Sequence, residues 1–359
     1  MPVDSEIRKI IARNGNIKID DMMLQVLSTN PSSYYQKQDK LGLLGDFTTA
    51  PEISQLFGEI IGLWVIDQWY KIGSPPKINL VELGPGQGTL MKDLLKVAKL
   101  VPEFYNSLNI QLIEINTHFR SKQTSNLKSY NLSIEHHSSI ESMSELPSII
   151  IANEFFDAMP IKQYIKNQDI WYESTLIIDP NDDQIKFNKI GINNNLQDYL
   201  QQAHPNAYNG AIIEESYKSL ELIRAISTHL LQCGGSGLVI DYGYDIDPLN
   251  RRRNQYNPTL QAIKNHQYHP LLETLGEADL SAHVDFHALK TVAKNIGLKT
   301  GEVQTQQNFL IDNGILLRSQ TLQNKLPPIE ADIIARQVDR LISSDNMGSL
   351  FKVLCLTSK

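Results

Sequence analysis

An α/β protein with a mostly parallel, doubly wound sheet is predicted by the order of its apolar runs and by two features at the ends of its first strands. From Lys77 onward, strand-like and helix-like runs alternate: Ile78 to Leu83, Leu90 to Leu100, Ile110 to Ile115, Phe119 to Leu127, Leu132 to His136 and Ile149 to Ala152. Such alternation is what parallel strands joined by crossover helices produce. The first strand runs into three glycines at alternate positions, Gly84, Gly86 and Gly88, and then into a helix. The second ends in a carboxylate, Glu114, thirty positions after Gly84.

The remaining elements follow in order. Residues 4–29 are expected to be helical, with Ile7, Ile10, Ile11, Met22, Met23, Val26 and Leu27 at three-and-four spacing around Gly15, and to cap the main domain. Gly45 to Ser54 is a hydroxyl-bearing turn leading into a helix through Trp64 and Trp69, with Pro51 and Glu52 as ordinary helix-start residues. The stretch Val101 to Leu108, with Pro102, lengthens the connection to the second strand. Strand-like runs at Gln163 to Ile165, Ile170 to Leu176 and Ile185 to Phe187, separated by polar turns, indicate an antiparallel insertion. A helix at about 214–231 and a strand from Gly237 to Tyr242 restore the α/β rhythm. Residues 244–284 are polar and irregular, a length that points to a functional loop region. A helix at 285–296, a strand near 299–306, a helical stretch and a final strand from Leu350 to Leu356 complete the chain.

Bulk composition narrows the function classes. At 359 residues the chain exceeds the roughly 200 that a minimal α/β domain needs, so insertions or an extra domain are expected. With 41% hydrophobic and 20% charged residues it reads as globular, not disordered. A net charge of −7, from 33 basic and 40 acidic residues, argues against a general nucleic-acid grip. The two cysteines, Cys233 and Cys355, are far apart in apolar segments, which predicts reduced core thiols instead of a disulfide or metal site. No run approaches the roughly twenty apolar residues of a membrane span. The N-terminus lacks a secretory or transit pattern, so a cytoplasmic address is expected.

Glycine is needed in the loop after the first strand because side chains would block close approach of the backbone to a ligand and penalise positive φ. The following helix then offers unpaired N–H groups at its start. Position 89 is Thr, so the dinucleotide fingerprint G-x-G-x-x-G fails, and no Lys-Ser/Thr pair follows for a phosphate-binding P-loop. The pattern acidic-x-Gly-x-Gly-x-Gly looks like motif I of the class I S-adenosylmethionine methyltransferases. In that arrangement the loop backs onto the amino-acid end of the cofactor and Glu82 sits near its ammonium group. Glu114, at its strand end, can accept both ribose hydroxyls.

The fourth strand, Ser148 to Ala152, runs into Asn153-Glu154-Phe155-Phe156-Asp157-Ala158-Met159-Pro160. In a doubly wound sheet this carboxyl end lies beside the glycine loop, where ligands bind. Glu154 and Asp157, flanked by aromatics, suit a cationic substrate. A carboxylate can clamp an arginine guanidinium bidentately and keep a nitrogen lone pair available for in-line attack on an activated methyl.

With these residues in view the sequence resembles the MidA-like family of protein arginine methyltransferases, linked in mitochondria to assembly of respiratory complex I. The likeness rests on five segments in order: Gly45 to Ser54, Val81 to Thr89, Ala152 to Ala158, Ile240 to Gly243, and Ala278 to Phe286. It implies a Rossmann-like, mostly parallel seven-stranded sheet with helices on both faces, an N-terminal helical cap over residues 1–76, and insertions at about 161–210 and 244–284. It implies S-adenosylmethionine as cofactor, bound by Glu82, Gly84, Pro85, Gly86, Gly88, Glu114, Ser139, Ile140 and Asn153, with Thr48 and Thr49 closing over it. It further implies an arginine-bearing protein substrate, such as a complex I-type subunit. Glu154 would bind and polarise the guanidinium, supported by Asp157 and Asp241, with no metal required.

The chain departs from the family at Thr259 to Gln267, where a more basic segment is usual, and at Tyr34-Tyr35, a reduced aromatic turn. Both bear on the substrate more than on the cofactor. His283-x-Asp285 and His136-His137 read as hydrogen-bonded structural residues, and Arg251 to Arg253 as a solvated turn able to meet an acidic partner. A nicotinamide-dependent dehydrogenase would want glycine at position 89. A small-molecule N- or O-methyltransferase would share the cofactor residues, as would a non-enzymatic assembly factor that keeps the fold.

Overall fold

The computed structural model describes residues 2–29, 33–34, 49–264, 267–273 and 275–358. Among these, a nine-stranded sheet forms the centre of the molecule. Its main path runs Lys299–Thr300, Phe351–Thr357, Gly235–Tyr244, Ser148–Asn153, Ile78–Leu83, Leu108–Ile113 and Ile134–His137. The five strands from Gly235–Tyr244 to Ile134–His137 are parallel, with Leu80 opposite Ile110 on one side and Ile149 on the other. Phe351–Thr357 enters antiparallel, Val353 facing Ile240. Two short strands, Val284–Asp285 and Gln304–Thr305, pair off this path.

The three central parallel strands are buried at nearly every position, as strands covered on both faces must be. One face packs on Gln55–Lys71 and Thr89–Ala98 through Phe57, Ile61, Leu90 and Leu94. The other packs on Tyr217–Cys233 and Phe286–Ile296 through Ile223, Leu230, Phe286 and Leu289. Each such side chain contributes about 1.5–3 kcal/mol by leaving water. Helices Gln55–Lys71 and Thr89–Ala98 approach so closely that a Cβ at Gly58 would stand 2.6 Å from that of Asp93. That contact fixes the helix that follows the glycine loop.

Strand order reverses between Ile78–Leu83 and Ser148–Asn153, which opens the crevice where such sheets bind ligands. The lengthened connection before the second strand holds a short helix, Pro102–Ser107. That strand ends at Ile113, which leaves Glu114 as the first residue beyond it.

The antiparallel insertion is a five-stranded sheet of Ile17–Lys18, Ile170–Ile178, Lys162–Asn167 and Ile212–Glu215, with Ile185–Gly191 on the far edge of Ile170–Ile178. The N-terminal residues share a core with this insertion, and Met23, Leu24 and Leu27 also line the crevice of the main sheet. Ile7, Met22 and Met23 pack with Ile161, Leu176, Ile185 and Leu280. Gly15, at φ +81°, ends the helix Val3–Asn14 in the left-handed region and turns the chain so that Ile17 pairs with Leu176.

The structure departs from the sequence reading in three places. The helix placed at 214 starts at Tyr217, because Ile212–Glu215 pairs with Lys162–Asn167 and Ser216 caps the helix by accepting from the Ser219 N–H. Residues 244–284 contain a small sheet of Gln267–His269, Gln261–Lys264 and Asp279–Ser281. The strand near 299–306 is two short strands, followed by helices Gln306–Asp312, Ile315–Gln323 and Pro328–Ile342. Cys233 and Cys355 are free thiols. Among the described residues no helix is long and apolar enough to cross a membrane.

Candidate active site

Gly84, Gly86 and Gly88 have φ of +60°, +51° and +80°, a backbone that other residues adopt only at a cost. A Cβ at Gly84 would lie 2.5 Å from the Phe155 ring, whereas one at Gly86 would meet no atom within 4 Å. Gly84 is therefore required by packing, and Gly86 leaves open space beside the loop. Gly88 donates to the Pro85 carbonyl at 2.7 Å and starts the helix Thr89–Ala98. Thr89, the residue that breaks the dinucleotide fingerprint, donates its hydroxyl to Glu52 Oε1 at 2.6 Å. The loop is thereby tied to the segment that carries Thr49.

Glu82 is buried, and its Oε2 has no hydrogen-bond partner among the described residues. Burial pushes its carboxyl up to about 8, opposed only by a backbone N–H from Met91. A cation beside it would stabilise its ionised form. Glu114 is also buried and raised by burial, but both its oxygens are held. The Asn116 N–H donates to Oε1 at 2.8 Å and Gln123 Nε2 to Oε2 at 3.3 Å. Each oxygen keeps a lone pair for a further donor, as a pair of ribose hydroxyls would require.

The strand Ser148–Asn153 delivers Asn153 and Glu154 to the same crevice. Glu154 has φ of +48°, a left-handed backbone costing a non-glycine residue about 1–2 kcal/mol, and strain of this kind concentrates at functional positions. Its Oε1 accepts from the Ala50 N–H at 2.7 Å and from Asn153 Nδ2 at 3.3 Å. Its Oε2 and Asn153 Oδ1 are buried without partners among the described residues. Burial, and next the neighbouring Asp157, push Glu154 up to about 8 against the Ala50 bond. Asp157 accepts from the Tyr242 hydroxyl at 2.8 Å, yet burial still raises it to about 6.

These residues line one cavity of about 550 Å³, within the usual range for small-molecule sites. Thr49, Glu82, Gly84, Pro85, Gly86 and Glu114 lie along it, as do Ser139, Ile140, Asn153, Glu154 and Asp157. Gly88 and Asp241 do not. Asp241 stands behind the cavity, where Oδ2 accepts from the N–H groups of Phe155, Phe156 and Asp157 at 3.1, 2.9 and 3.2 Å. Its hydrogen bonds hold the turn that carries Glu154 and Asp157. Thr48, like Gly45, Asp46, Phe47, Tyr35 and His266, lies outside the described residues.

A family model described as "Putative S-adenosyl-L-methionine-dependent methyltransferase" matches residues 60–304. The chain belongs to this family. Its cofactor is accordingly S-adenosylmethionine, and the residues present fit it: an orphaned buried carboxylate oxygen at Glu82, a second acid at Glu114, and glycines that admit a ligand against the loop. Two curated relatives of this methyltransferase bear the name protein arginine methyltransferase NDUFAF7, mitochondrial. That of Danio rerio is 32% identical over 96% of this chain and 84% of its own length. That of Homo sapiens is 28% identical over 99% of this chain and 84% of its own. The fold matches a crystal structure from Burkholderia thailandensis bound to S-adenosyl-homocysteine, with a TM-score of 0.85 at 24% identity over 99% of this chain and 91% of that one.

Other residues of the methyltransferase were missed in the sequence or read differently. Gln123, fully buried, joins Glu114 to the glycine loop; a glutamine inside a polar helix gives no signal of this. Glu52, read only as a helix-start residue, lines the cavity and holds Thr89. Arg251 is not part of a solvated turn: it is 4% exposed, stacked 4.9 Å from Tyr244 and 5.5 Å from Tyr256. Arg252 and Arg253 are exposed. The histidines are bound within the fold. His136 faces Gln123 at 3.0 Å and His137 faces Gln111 at 2.6 Å, while the His283 ring meets that of Tyr242 edge-on at 5.5 Å and its backbone N–H donates to the Thr259 hydroxyl at 2.9 Å. Asp285 caps the helix Phe286–Ile296. Among the described residues no three metal-ligating side chains gather.

Proposed function

We propose that this methyltransferase acts on an arginine of another protein, with Glu154 as the residue that receives the guanidinium. The supporting observation is the buried Oε2 of Glu154, without a partner among the described residues, inside the cavity that also carries the equally unpartnered Oε2 of Glu82. S-adenosylmethionine supplies a methyl group on a positively charged sulfur. Glu82 would hold the ammonium of its amino-acid end, Glu114 the ribose, and Thr49, Ser139, Ile140 and Asn153 its flanks. Thr48 is retained as part of the cofactor cover.

The lining favours a cationic acceptor. Among the described residues Glu52, Glu82, Glu114, Glu141, Glu154, Asp157, Glu221 and Asp279 are eight acids set against one lysine, Lys218. An anionic acceptor would be disfavoured beside Glu154 and Asp157. Met23, Leu24 and Leu27 give an apolar wall on which the methylene stem of an arginine can lie. Glu154, raised to about 8, would give its proton to solvent as the guanidinium enters; the carboxylate then draws positive charge toward one side of the guanidinium and leaves a lone pair on the nitrogen presented for in-line attack. As the nitrogen takes the methyl it sheds a proton, which Asp157, raised to about 6, is basic enough to accept and pass to solvent.

By likeness to the family that the sequence resembles, a respiratory complex I-type subunit is the acceptor proposed, in the cytoplasm here; the named relatives are mitochondrial. The test is Glu154→Gln, with arginine methylation of candidate subunits read by mass spectrometry. Unchanged cofactor affinity with turnover down about 100-fold or more supports the assignment. Equal turnover in the variant, or methyl transfer to a small amine and to no protein, overturns it.

A further inference from the structure

We infer that Gln123 is the positioning residue of the cofactor site, setting the distance between the glycine loop and the ribose acid through a single amide. Its side chain comes from the helix Thr117–Leu127 and is fully buried. Nε2 donates to the Gly86 carbonyl at 2.7 Å and to Glu114 Oε2 at 3.3 Å. Both partners are acceptors only, so both amide hydrogens are committed and the orientation of the amide is fixed. Oε1 therefore faces His136 Nε2 at 3.0 Å as an acceptor, and His136 donates. The stem of Gln123 also packs against Gly88, where an added Cβ would come within 3.5 Å of its Cγ.

This inference rests on the reading of Glu114 as a cofactor ligand and extends it. A carboxylate freed from Gln123 could still accept the Asn116 N–H, but it would swing about that one bond. The Gly86 carbonyl would lose its donor at the point where the loop must lie flat against the ligand. One amide thus keeps two separate parts of the site in register, and neither needs to be rigid by itself. Glutamate, nearly identical in shape, cannot do the same: it has no hydrogen to give to either acceptor and would face Glu114 as a like charge. The charged and titratable groups around the position are Glu114, His136, His137 and Arg120.

The experiment measures dissociation constants for S-adenosylmethionine by calorimetry in wild type, Gln123→Ala, Gln123→Glu and Glu114→Ala, from pH 6 to 8, with melting temperatures taken on the same samples. Loss of about 10- to 100-fold in Gln123→Ala is expected, the usual range for hydrogen bonds to a charged group. In Gln123→Glu the loss should be largest at pH 8 and shrink toward pH 6, as a proton shared between the introduced carboxyl and Glu114 restores one bond. A merely structural role would lower the melting temperature without producing that pH dependence. Wild-type affinity in both Gln123 variants, with Glu114→Ala impaired, overturns the inference and leaves the Glu114 reading intact. Wild-type affinity in Glu114→Ala overturns both.

Discussion

Asp241 Oδ2 lies 2.9 Å from the backbone nitrogen of Phe156, and the same oxygen also receives the N–H groups of Phe155 and Asp157. Its other oxygen takes the N–H of Tyr242 at 3.0 Å. One buried carboxylate thus holds the whole turn that presents Glu154 and Asp157. Asp241→Asn would place an amide hydrogen against these donors. The expected result is a loss of about 1–3 kcal/mol in stability, with turnover impaired far more than cofactor affinity. Chemical denaturation together with calorimetry tests this; impaired cofactor binding with normal turnover would contradict it.

Cofactor binding should release a proton. Glu82 is raised to about 8 by burial, so near neutral pH it is mostly protonated in the free protein and must ionise to hold an ammonium. Affinity should therefore rise from pH 6 to about 7.5, a range in which an α-amino group stays largely charged. Calorimetry in buffers of different ionisation enthalpy counts the proton. An affinity flat across this range would remove Glu82 as the ammonium seat.

The same shift has a sign for stability. Because the folded value lies above the ordinary carboxyl value of 4.5, the stability it contributes is complete below that value and is lost as pH rises toward about 8. Glu82→Gln removes the titration. The cofactor-free variant should be more stable than wild type at pH 7, by at most about 3 kcal/mol at 1.36 kcal/mol per unit, while binding is lost. A variant less stable than wild type at every pH would refute the prediction.

Gly86 and Gly84 should fail differently. Gly86→Val meets open space in the protein and occupies the ligand's side of the loop, so its main effect is lost binding, with about 1–2 kcal/mol of backbone strain. Gly84→Ala drives into the Phe155 ring and should displace the Glu154 turn, which lowers turnover as well as stability. Binding and melting curves of the pair separate the two effects.

Thr89→Gly would complete the dinucleotide fingerprint in sequence. It also deletes the 2.6 Å bond to Glu52. Weaker S-adenosylmethionine binding and no gain of NAD binding are expected by calorimetry, since Glu82 and the cavity acids remain. A switch to NAD would show that the glycine count alone selects the cofactor.

The gathering of the glycine loop and the two acids around one cavity was legible because its signals are local. An apolar run, glycines at alternate positions and an acid at the next strand end need nothing from distant sequence, and Gly84, Gly86, Glu82 and Glu114 fall where the spacing put them. Gln123 was not legible, since its partners Gly86 and His136 are brought to it only by packing of the parallel sheet. Arg251 misled for the same reason: three consecutive arginines look solvated, and the burial of the first depends on Tyr244 and Tyr256 closing around it. The pairing of Ile17–Lys18 with the insertion was too short for any periodicity to register.

That pairing bears on the order in which the molecule is assembled. Ile17 leaves the ribosome long before Leu176, so the N-terminal helices have no partner until the insertion has been synthesised. Met23, Leu24 and Leu27, which face the cavity and precede the stretch matched by the family model, therefore cannot take their places until that insertion exists. A nascent chain would bring the glycine loop and Glu114 together while one wall of the cavity was still missing. Changes to that wall leave the glycine loop and Glu114 untouched, so the acceptor side of the cavity can vary separately from the loop side.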